Sequence, residues 1–153
     1  MENEKSIELL NSLIEINNDR MEGYDTASKE TEEVDLKVIF SEFKEVSRLC
    51  KEELGSEVRK LGGEPTEGTK TTGKLFRIWM DVKAALTGKD RKNILNSCEY
   101  GEDAAVNTYK DVLKNNVEKL TAEQHKMVNE QFKLIKADHY KIRGLRDLML
   151  NHL

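Results

Sequence analysis

The amino-acid sequence predicts an all-α fold, a four-helix bundle, on three observations. Apolar residues recur at steps of three and four along four long stretches of the chain, which is the period of an amphipathic helix. No stretch alternates apolar and polar residues as a half-buried strand does. Charged residues make up 35% of the chain and hydrophobic residues 37%, with one proline, a balance that suits long helices with solvated outer faces.

Length and charge narrow the classes of protein to consider. A chain of 153 residues fits one domain, residues 1–153, large enough to bury a proper core. The net charge is −4 and acids and bases are interspersed, so the chain lacks a basic stripe for phosphate and we expect no nucleic-acid partner. No apolar run approaches the roughly 20 residues that span a bilayer, and the first residues, MENEKS, lack signal-peptide character. We therefore expect no membrane partner and a cytoplasmic location.

The two cysteines are too few for a disulfide framework, and neither belongs to a CxxC motif, which favours a reducing cytosol. Cys50 and Cys98 fall on inner helix faces at different depths, so a bridge between them is not expected. We predict two free, buried thiols that behave as small hydrophobic residues.

The first half of the chain predicts two long helices, at about Glu4–Lys29 and Leu36–Leu61. Their inner faces are formed by Ile7, Leu10, Ile14, Met21 and Ser28 in the first, and by Leu36, Ile39, Phe43, Val46, Cys50, Leu54 and Leu61 in the second. Thr31 or Asp35 is expected to cap the second helix. That helix should end at Leu61-Gly62-Gly63-Glu64-Pro65, because glycine takes the left-handed position after a helix at little cost and proline bars continuation.

The second half predicts one short and two long helices. A short amphipathic helix is expected at about Lys74–Leu86, and the third long helix at about Arg91–Val117. The fourth follows a Thr121-x-x-Gln124 capping box and runs to about Asn151. The inner faces are formed by Ile94, Leu95, Cys98, Ala105, Tyr109, Val112 and Leu113 in the third, and by Val128, Phe132, Ile135, Ile142 and Met149 in the fourth.

The connections between these helices predict the topology. The first and second long helices are joined by a short segment, as are the third and fourth, so each pair should form an antiparallel hairpin. The long connection between the second and third contains a short extra helix and is long enough to return along the bundle. One long crossover between two hairpins is the ferritin-like arrangement of a four-helix bundle.

Three segments also carry a resemblance to a known family. They are LGGEP after the second helix, the run GKLFRIWMDVKAALTGKDRKNILNSCEYGED, and the late segment HYKIRGLRDL. Over about Leu10 to Leu148 the chain resembles a bacterial family of ferritin-like four-helix-bundle proteins of unknown function. The resemblance implies the bundle fold and a small cytoplasmic bacterial protein, and it implies no activity.

The centre of such a bundle is the place to look for a metal site. A di-iron bundle needs one Glu from each of two helices and a Glu-x-x-His from each of the other two, all pointing inward. We count residues along each helix from the end of the bundle where the first helix ends, the second and third begin and the fourth ends. At equal depth from that end, one layer contains four positions: Asn17 to Met21, Val46 and Ser47, Glu102, and His139. Glu102 and His139 are therefore predicted to face each other.

The di-iron ligand pattern is incomplete in this chain. The frame Glu45-x-x-Arg48 ends in arginine and lies on an outer face, and the frame that ends at His139 begins with lysine. One carboxylate and one imidazole remain where the pattern needs four and two. The metal-site alternative is thus a single iron or other divalent ion held by Glu102, His139 and Glu99, with Asp138 as an additional candidate ligand.

The main interpretation of these inward groups is a structural polar core without a cofactor. A buried Glu opposite a His most often forms a hydrogen-bonded pair, because an unpaired buried charge is costly. Arg146 lies near the centre of its helix stripe, and Asp25 reaches a similar depth on the first helix. The predicted polar core therefore consists of two pairs, Asp25 with Arg146 and Glu102 with His139.

Two hypotheses about function follow. The first is a non-enzymatic cytoplasmic protein that acts by protein–protein contact or self-association, with a protein partner or as a homo-oligomer. The alternative is a metal-binding protein, a degenerate ferritin-like di-iron bundle. No Ser/His/Asp or Cys/His nucleophile set is recognisable, and the glycines do not match a phosphate-binding loop.

Overall fold

The computed structural model describes residues 2–69 and 91–150, and all regular structure within those ranges is helical. Helix α1 spans Glu2–Glu30, α2 Val34–Lys60, α3 Arg91–Asn115 and α4 Ala122–Leu150, with a 3-10 turn at Val117–Lys119 between α3 and α4. The prediction of an all-α fold with four long helices is confirmed, and every predicted bound agrees to within one helical turn. The predicted short helix at 74–86 lies outside the described residues.

Two of the predicted helix ends have the expected chemistry. Thr121 Oγ1 accepts from the Gln124 N–H at 3.1 Å, and Gln124 Oε1 accepts from the Thr121 N–H at 3.0 Å, so the capping box at the start of α4 is confirmed. Gly62 follows α2 with φ +86°, the left-handed conformation that glycine adopts without a Cβ penalty.

The predicted cap of α2 is wrong. Glu33 is the residue at the N-cap, and its side chain makes no capping hydrogen bond. The Thr31 hydroxyl instead accepts from the Glu33 N–H at 3.3 Å, which closes the turn before the helix. The Asp35 carboxylate pairs with Arg91, the first residue of α3, so it joins two helices rather than capping one.

The four helices form two antiparallel hairpins, α1 with α2 and α3 with α4. Across the hairpins, α1 is also antiparallel to α3. Asn17 of α1 donates to the hydroxyl of Tyr109, and Arg20, one turn later in α1, donates to Glu102, two turns earlier in α3. Helix α1 therefore has α2 and α3 as its neighbours and lies diagonally across the bundle from α4.

Helices α2 and α3 start at the same end of the bundle and are parallel. Arg91 at the start of α3 forms ion pairs with Glu33 and Asp35 at the start of α2. Helix α4 packs antiparallel to α2, and the Lys141–Glu42 ion pair at 3.6 Å joins them. A parallel start for α3 requires a connection that travels the length of the bundle.

The part of that connection that the structure describes, which directly follows α2, runs along α1. The Asn11 side chain accepts from the Thr66 N–H at 2.9 Å, and the Asn18 side chain donates to the Gly68 carbonyl at 2.8 Å. As the chain number rises after α2, its contacts therefore move toward the C-terminal half of α1. This is the direction in which a crossover must go to reach the start of α3.

The buried core has two apolar clusters with polar groups between them. One cluster includes Leu10, Leu13, Ile14, Leu54, Val58, Ala105, Val112, Val128 and Ile135. The other, at the end where α2 and α3 begin, includes Tyr24, Ala27, Leu36, Phe40, Phe43, Ile94, Leu95, Cys98 and Ile142. Arg20 and Glu102 lie between the clusters, and both side chains are fully buried. The functional question is what these polar groups do.

None of the helices within residues 2–69 and 91–150 has a stretch that is both long and apolar enough to cross a bilayer.

Candidate functional site

A buried arginine occupies the centre of the bundle. Arg20 extends from α1, and its Nε and Nη2 atoms donate to Glu102 Oε1 on α3 at 3.1 and 2.7 Å. Its Nη1 donates to Ser47 Oγ on α2 at 2.5 Å, and its Nη2 also donates to Asp138 Oδ2 on α4 at 3.1 Å. One guanidinium thus joins all four helices. We call Arg20, Ser47, Glu102 and Asp138, with Tyr24, the central polar layer.

The position of Arg20 follows from the helix period. Leu13, Asn17, Arg20, Tyr24 and Ala27 follow one another at steps of four, three, four and three, so they share the inner face of α1, and all five are fully buried. The Tyr24 hydroxyl donates to the same Glu102 oxygen that Arg20 contacts. Arg20 is therefore fixed at the core by its place in the sequence and by acceptors on three other helices.

The charges of the central polar layer stabilise each other. Burial by itself would lower the pKa of Arg20, but the Glu102 and Asp138 carboxylates and Tyr24 outweigh this effect, and the net pKa is raised above its ordinary value. For Asp138, burial raises the pKa to about 6, with Glu102 adding to the rise and Arg20 opposing it. The guanidinium therefore stays charged, while Asp138 titrates closer to neutrality than an ordinary aspartate.

A chain of neutral hydrogen bonds lies next to the central polar layer. Asn17 Nδ2 donates to the Tyr109 hydroxyl at 2.8 Å, and that hydroxyl donates to Gln131 Oε1 at 2.7 Å. Gln131 Nε2 then donates to the Cys50 carbonyl at 3.3 Å. The chain crosses from α1 through α3 and α4 to α2, so the middle of the bundle is tied together by directional bonds as well as by packing.

The structure corrects the predicted pair of Glu102 with His139. Glu102 faces inward as expected, but its hydrogen-bond partners are Arg20 and Tyr24. His139 Nε2 lies 2.5 Å from Asp103 Oδ1, on the flank between α3 and α4. The reason is helical phase: neighbouring residues differ by about 100° around a helix, so Asp138, and not His139, is the α4 residue that reaches the centre.

The predicted pair of Asp25 with Arg146 is also wrong. Asp25 accepts from Lys29 at 2.9 Å and from Lys44 at 2.8 Å, and hydrogen bonds from those two lysines lower the pKa of its carboxyl. Arg146 is ion-paired with Glu99 and with Asp147. Helices α1 and α4 lie on a diagonal of the bundle, so Asp25 pairs with its own helix and with α2.

Two of the three predicted metal ligands do come together, although not at the centre. Ligand atoms of Glu99, Asp103 and His139 all lie within 4.8 Å of one another, so Asp103 takes the place that was predicted for Glu102. We call these three residues the flank cluster. The Asp103 side chain is 52% exposed, and His139 lies mostly covered beside it at 12%.

Arg20 is the residue that sequence reasoning missed. The predicted inner stripe of α1 passed through Met21, which is only partly buried, whereas Arg20 is fully buried. The signal was present, because Arg20 fits the spacing of Asn17 and Tyr24. It was passed over because arginine is seldom fully buried unless it is paired, and its partners lie on other helices.

Both cysteines are free and buried, as predicted. Burial raises the pKa of the Cys50 thiol to about 12, and it also raises the pKa of Cys98. At neutral pH both are therefore protonated thiols, which are poor nucleophiles and poor metal ligands.

Comparison with known proteins identifies a family but no activity. A family model described as a domain of unknown function (DUF2383) matches residues 5–115, which hold most of α1 and all of α2 and α3. The matched part includes Arg20, Ser47 and Glu102, whereas Asp138 and His139 follow it. No protein of curated function is significantly similar to the chain in sequence.

Proposed function

The chain belongs to the family of the domain of unknown function DUF2383, and we propose that it is a non-enzymatic, cytoplasmic bacterial protein with a ferritin-like bundle that works by self-association. The order of its helices, with α1 beside α2 and α3 and with α2 and α3 parallel, supports the ferritin-like relationship. The remaining support comes from one surface of the bundle and from the charged side chains that occupy its centre.

The observation that carries the proposal is a surface formed by α2 and α4. Large apolar side chains are exposed there on both helices: Val34, Val38 and Leu49 on α2, and Leu134 and Leu148 on α4. We call this surface the α2–α4 face. Single exposed apolar residues are common, but several that share one surface favour a protein contact.

The register of the two helices aligns these side chains. The Lys141–Glu42 ion pair indicates the antiparallel register of α2 and α4. Leu49 lies seven residues after Glu42, and Leu134 lies seven residues before Lys141, so the two leucines are at the same level, about two turns from the ion pair. They are 49% and 51% exposed. In the other direction, Val34 lies eight residues before Glu42 and Leu148 seven residues after Lys141, so these two side chains are within one residue of the same level.

The charges on this face favour a second copy of the chain as the occupant. Exposed acids Glu42, Glu45 and Glu52 line α2, where Arg48 is ion-paired with Glu45 and Glu52. Exposed bases Lys133 and Lys141 line α4, where Lys141 is ion-paired with Glu42 of the same chain. A two-fold axis that sets α2 of one copy against α4 of the other places acids opposite bases, while apolar side chains meet apolar ones.

The centre of the bundle supports the non-enzymatic part of the proposal. The position between the two apolar clusters already contains a cation, the Arg20 guanidinium, paired with Glu102 and Asp138. A divalent ion at that place would meet a fixed positive charge and would have to displace it from both carboxylates. The inward carboxylates thus have a structural task that needs no cofactor.

Sedimentation equilibrium of the full chain tests the proposal. We expect a species of about twice the chain mass of 17.6 kDa, and we expect Leu134→Glu and Leu49→Glu each to shift it to the monomer. Tyr100→Glu is the matched control, since Tyr100 is 66% exposed on α3 but lies away from this face. A wild-type chain that stays monomeric at all concentrations, or a control variant that dissociates equally, would overturn self-association through this face.

A further inference from the structure

On the side of α4 that is opposite to the α2–α4 face, three side chains with metal-binding atoms lie close together. Glu99 and Asp103 are four residues apart on α3, so their carboxylates project from the same side of the helix one turn apart. His139 reaches toward them from α4, and all three ligand atoms lie within 4.8 Å of one another. The flank cluster thus joins two helices with two carboxylates and one imidazole.

From this arrangement we infer that the flank cluster is a binding site for a first-row divalent cation such as Zn²⁺. Two carboxylate oxygens and an imidazole nitrogen form a three-ligand set that leaves a further position for water, as in open zinc sites. Partial burial of Glu99 and His139 restrains the ligands, and the exposed Asp103 provides a path for the ion. The inference does not depend on self-association.

Binding requires a small rearrangement of the ligands. Four tetrahedral ligands at about 2.1 Å from zinc lie about 3.4 Å from one another. The His139 Nε2 to Asp103 Oδ1 distance is 2.5 Å, so this hydrogen bond must open for the ion to enter. Asp103 is half exposed, and its side chain can turn without disturbing the core.

The ion also competes with an arginine. Arg146 is ion-paired with Glu99, and Arg143 lies 3.7 Å from the other oxygen of the same carboxylate. Arg146 has a second acceptor, Asp147 Oδ1 at 3.2 Å, to which it can remain bound when Glu99 turns to the metal. The affinity for zinc is therefore lower than the ligand set alone would give, and removal of Arg146 should raise it.

The flank site is separate from the central polar layer. Asp138 precedes His139 in the chain but points the other way, toward Arg20. A cation at the flank cluster consequently leaves the Arg20 guanidinium in place. It also ties α3 to α4, so zinc should raise the melting temperature of the protein by mass action.

Calorimetric titration of Zn²⁺ into the full chain, prepared without a metal-affinity tag and freed of metal by chelation, tests the site. We expect one equivalent to bind, with a loss of affinity of about tenfold or more in His139→Ala and in Asp103→Asn. His125→Ala is the matched control, because His125 lies in the first turn of α4, far from the cluster. Circular dichroism verifies that each variant is folded.

Three results would overturn the proposal. The first is a His139→Ala variant that binds zinc as tightly as the wild type does, and the second is a His125→Ala variant that loses as much affinity for zinc as His139→Ala. The third is a wild-type chain that does not bind zinc. Arg146→Gln provides an independent readout that loss of folding cannot imitate. We expect it to bind zinc more tightly than the wild type, and an unchanged or weaker affinity would contradict the assignment of Glu99 as a ligand.

Discussion

Arg20 on α1 and Glu102 on α3 form an ion pair in which both side chains are fully buried, with Nη2 2.7 Å from Oε1. Two charges removed from water lose several kcal/mol of solvation each, and their attraction offsets this loss only when the geometry is good and the remaining polar atoms are also bonded. Arg20 meets this condition through Ser47 and Asp138, whereas Glu102 Oε2 is buried without a hydrogen-bond partner among the described residues. The pair therefore fixes which helices meet at the centre more than it adds net stability.

Removal of Glu102 should destabilise the protein strongly. Glu102→Ala leaves the Arg20 guanidinium with Asp138 as its remaining carboxylate, and we expect a loss of about 3 kcal/mol or more in the free energy of unfolding. His139→Ala is the comparison, since it removes one partly exposed hydrogen bond and should cost about 1 kcal/mol or less. Urea denaturation followed by circular dichroism measures both, and equal losses would show that Glu102 has no special partner.

The stability of the protein should depend on pH through Asp138. Burial raises its pKa from 3.8 to about 6, so between these values the folded chain holds this proton more tightly than the unfolded chain does. The contribution of Asp138 to the free energy of unfolding is therefore fully favourable below about pH 4 and declines as pH rises to about 6.

Asp138→Asn isolates this effect. The difference in free energy of unfolding between wild type and variant should shift against the wild type as pH increases from about 4 to about 6. Other carboxylates, such as Asp25 with its lowered pKa, are common to both proteins and cancel. A difference that stays constant with pH would mean that Asp138 titrates as an exposed aspartate does.

The two thiols should be inert in the folded protein. Cys50 and Cys98 are buried, and burial raises the pKa of both. Because the thiolate is the reactive form, we expect a disulfide reagent such as Ellman's reagent to modify neither residue at pH 8 until the chain unfolds, and then to modify two. Fast modification of a folded sample would contradict the burial of these thiols.

Most of the fold could be predicted from the sequence because its signals are local. The spacing of Leu36, Phe43, Cys50 and Leu54 predicts a buried stripe, and Gly62 with its positive φ marks the end of the same helix. The contrast between short and long connections predicts two hairpins and a crossover. Each of these signals depends on residues that are neighbours in the chain.

The depth of the polar layer was also predictable, whereas its pairing was not. Counting from one end indicated Asn17 to Met21, Ser47, Glu102 and His139, and the observed layer contains Arg20, Ser47, Glu102 and Asp138. A shift of one residue along α4 changes the direction of the side chain by about 100°, which is enough to move it from the flank of the bundle to its centre. Equal depth tells which residues share a level and not which ones touch.

A double-mutant cycle on Arg20 and Glu102 tests the ion pair at the centre most directly. The variants Arg20→Met, Glu102→Met and the double variant are compared with the wild type by urea denaturation. If the two side chains are partners, the double variant should lose less stability than the two single variants summed, by a coupling of about 1–3 kcal/mol. Losses that add to within about 0.5 kcal/mol would contradict a direct pair between Arg20 and Glu102.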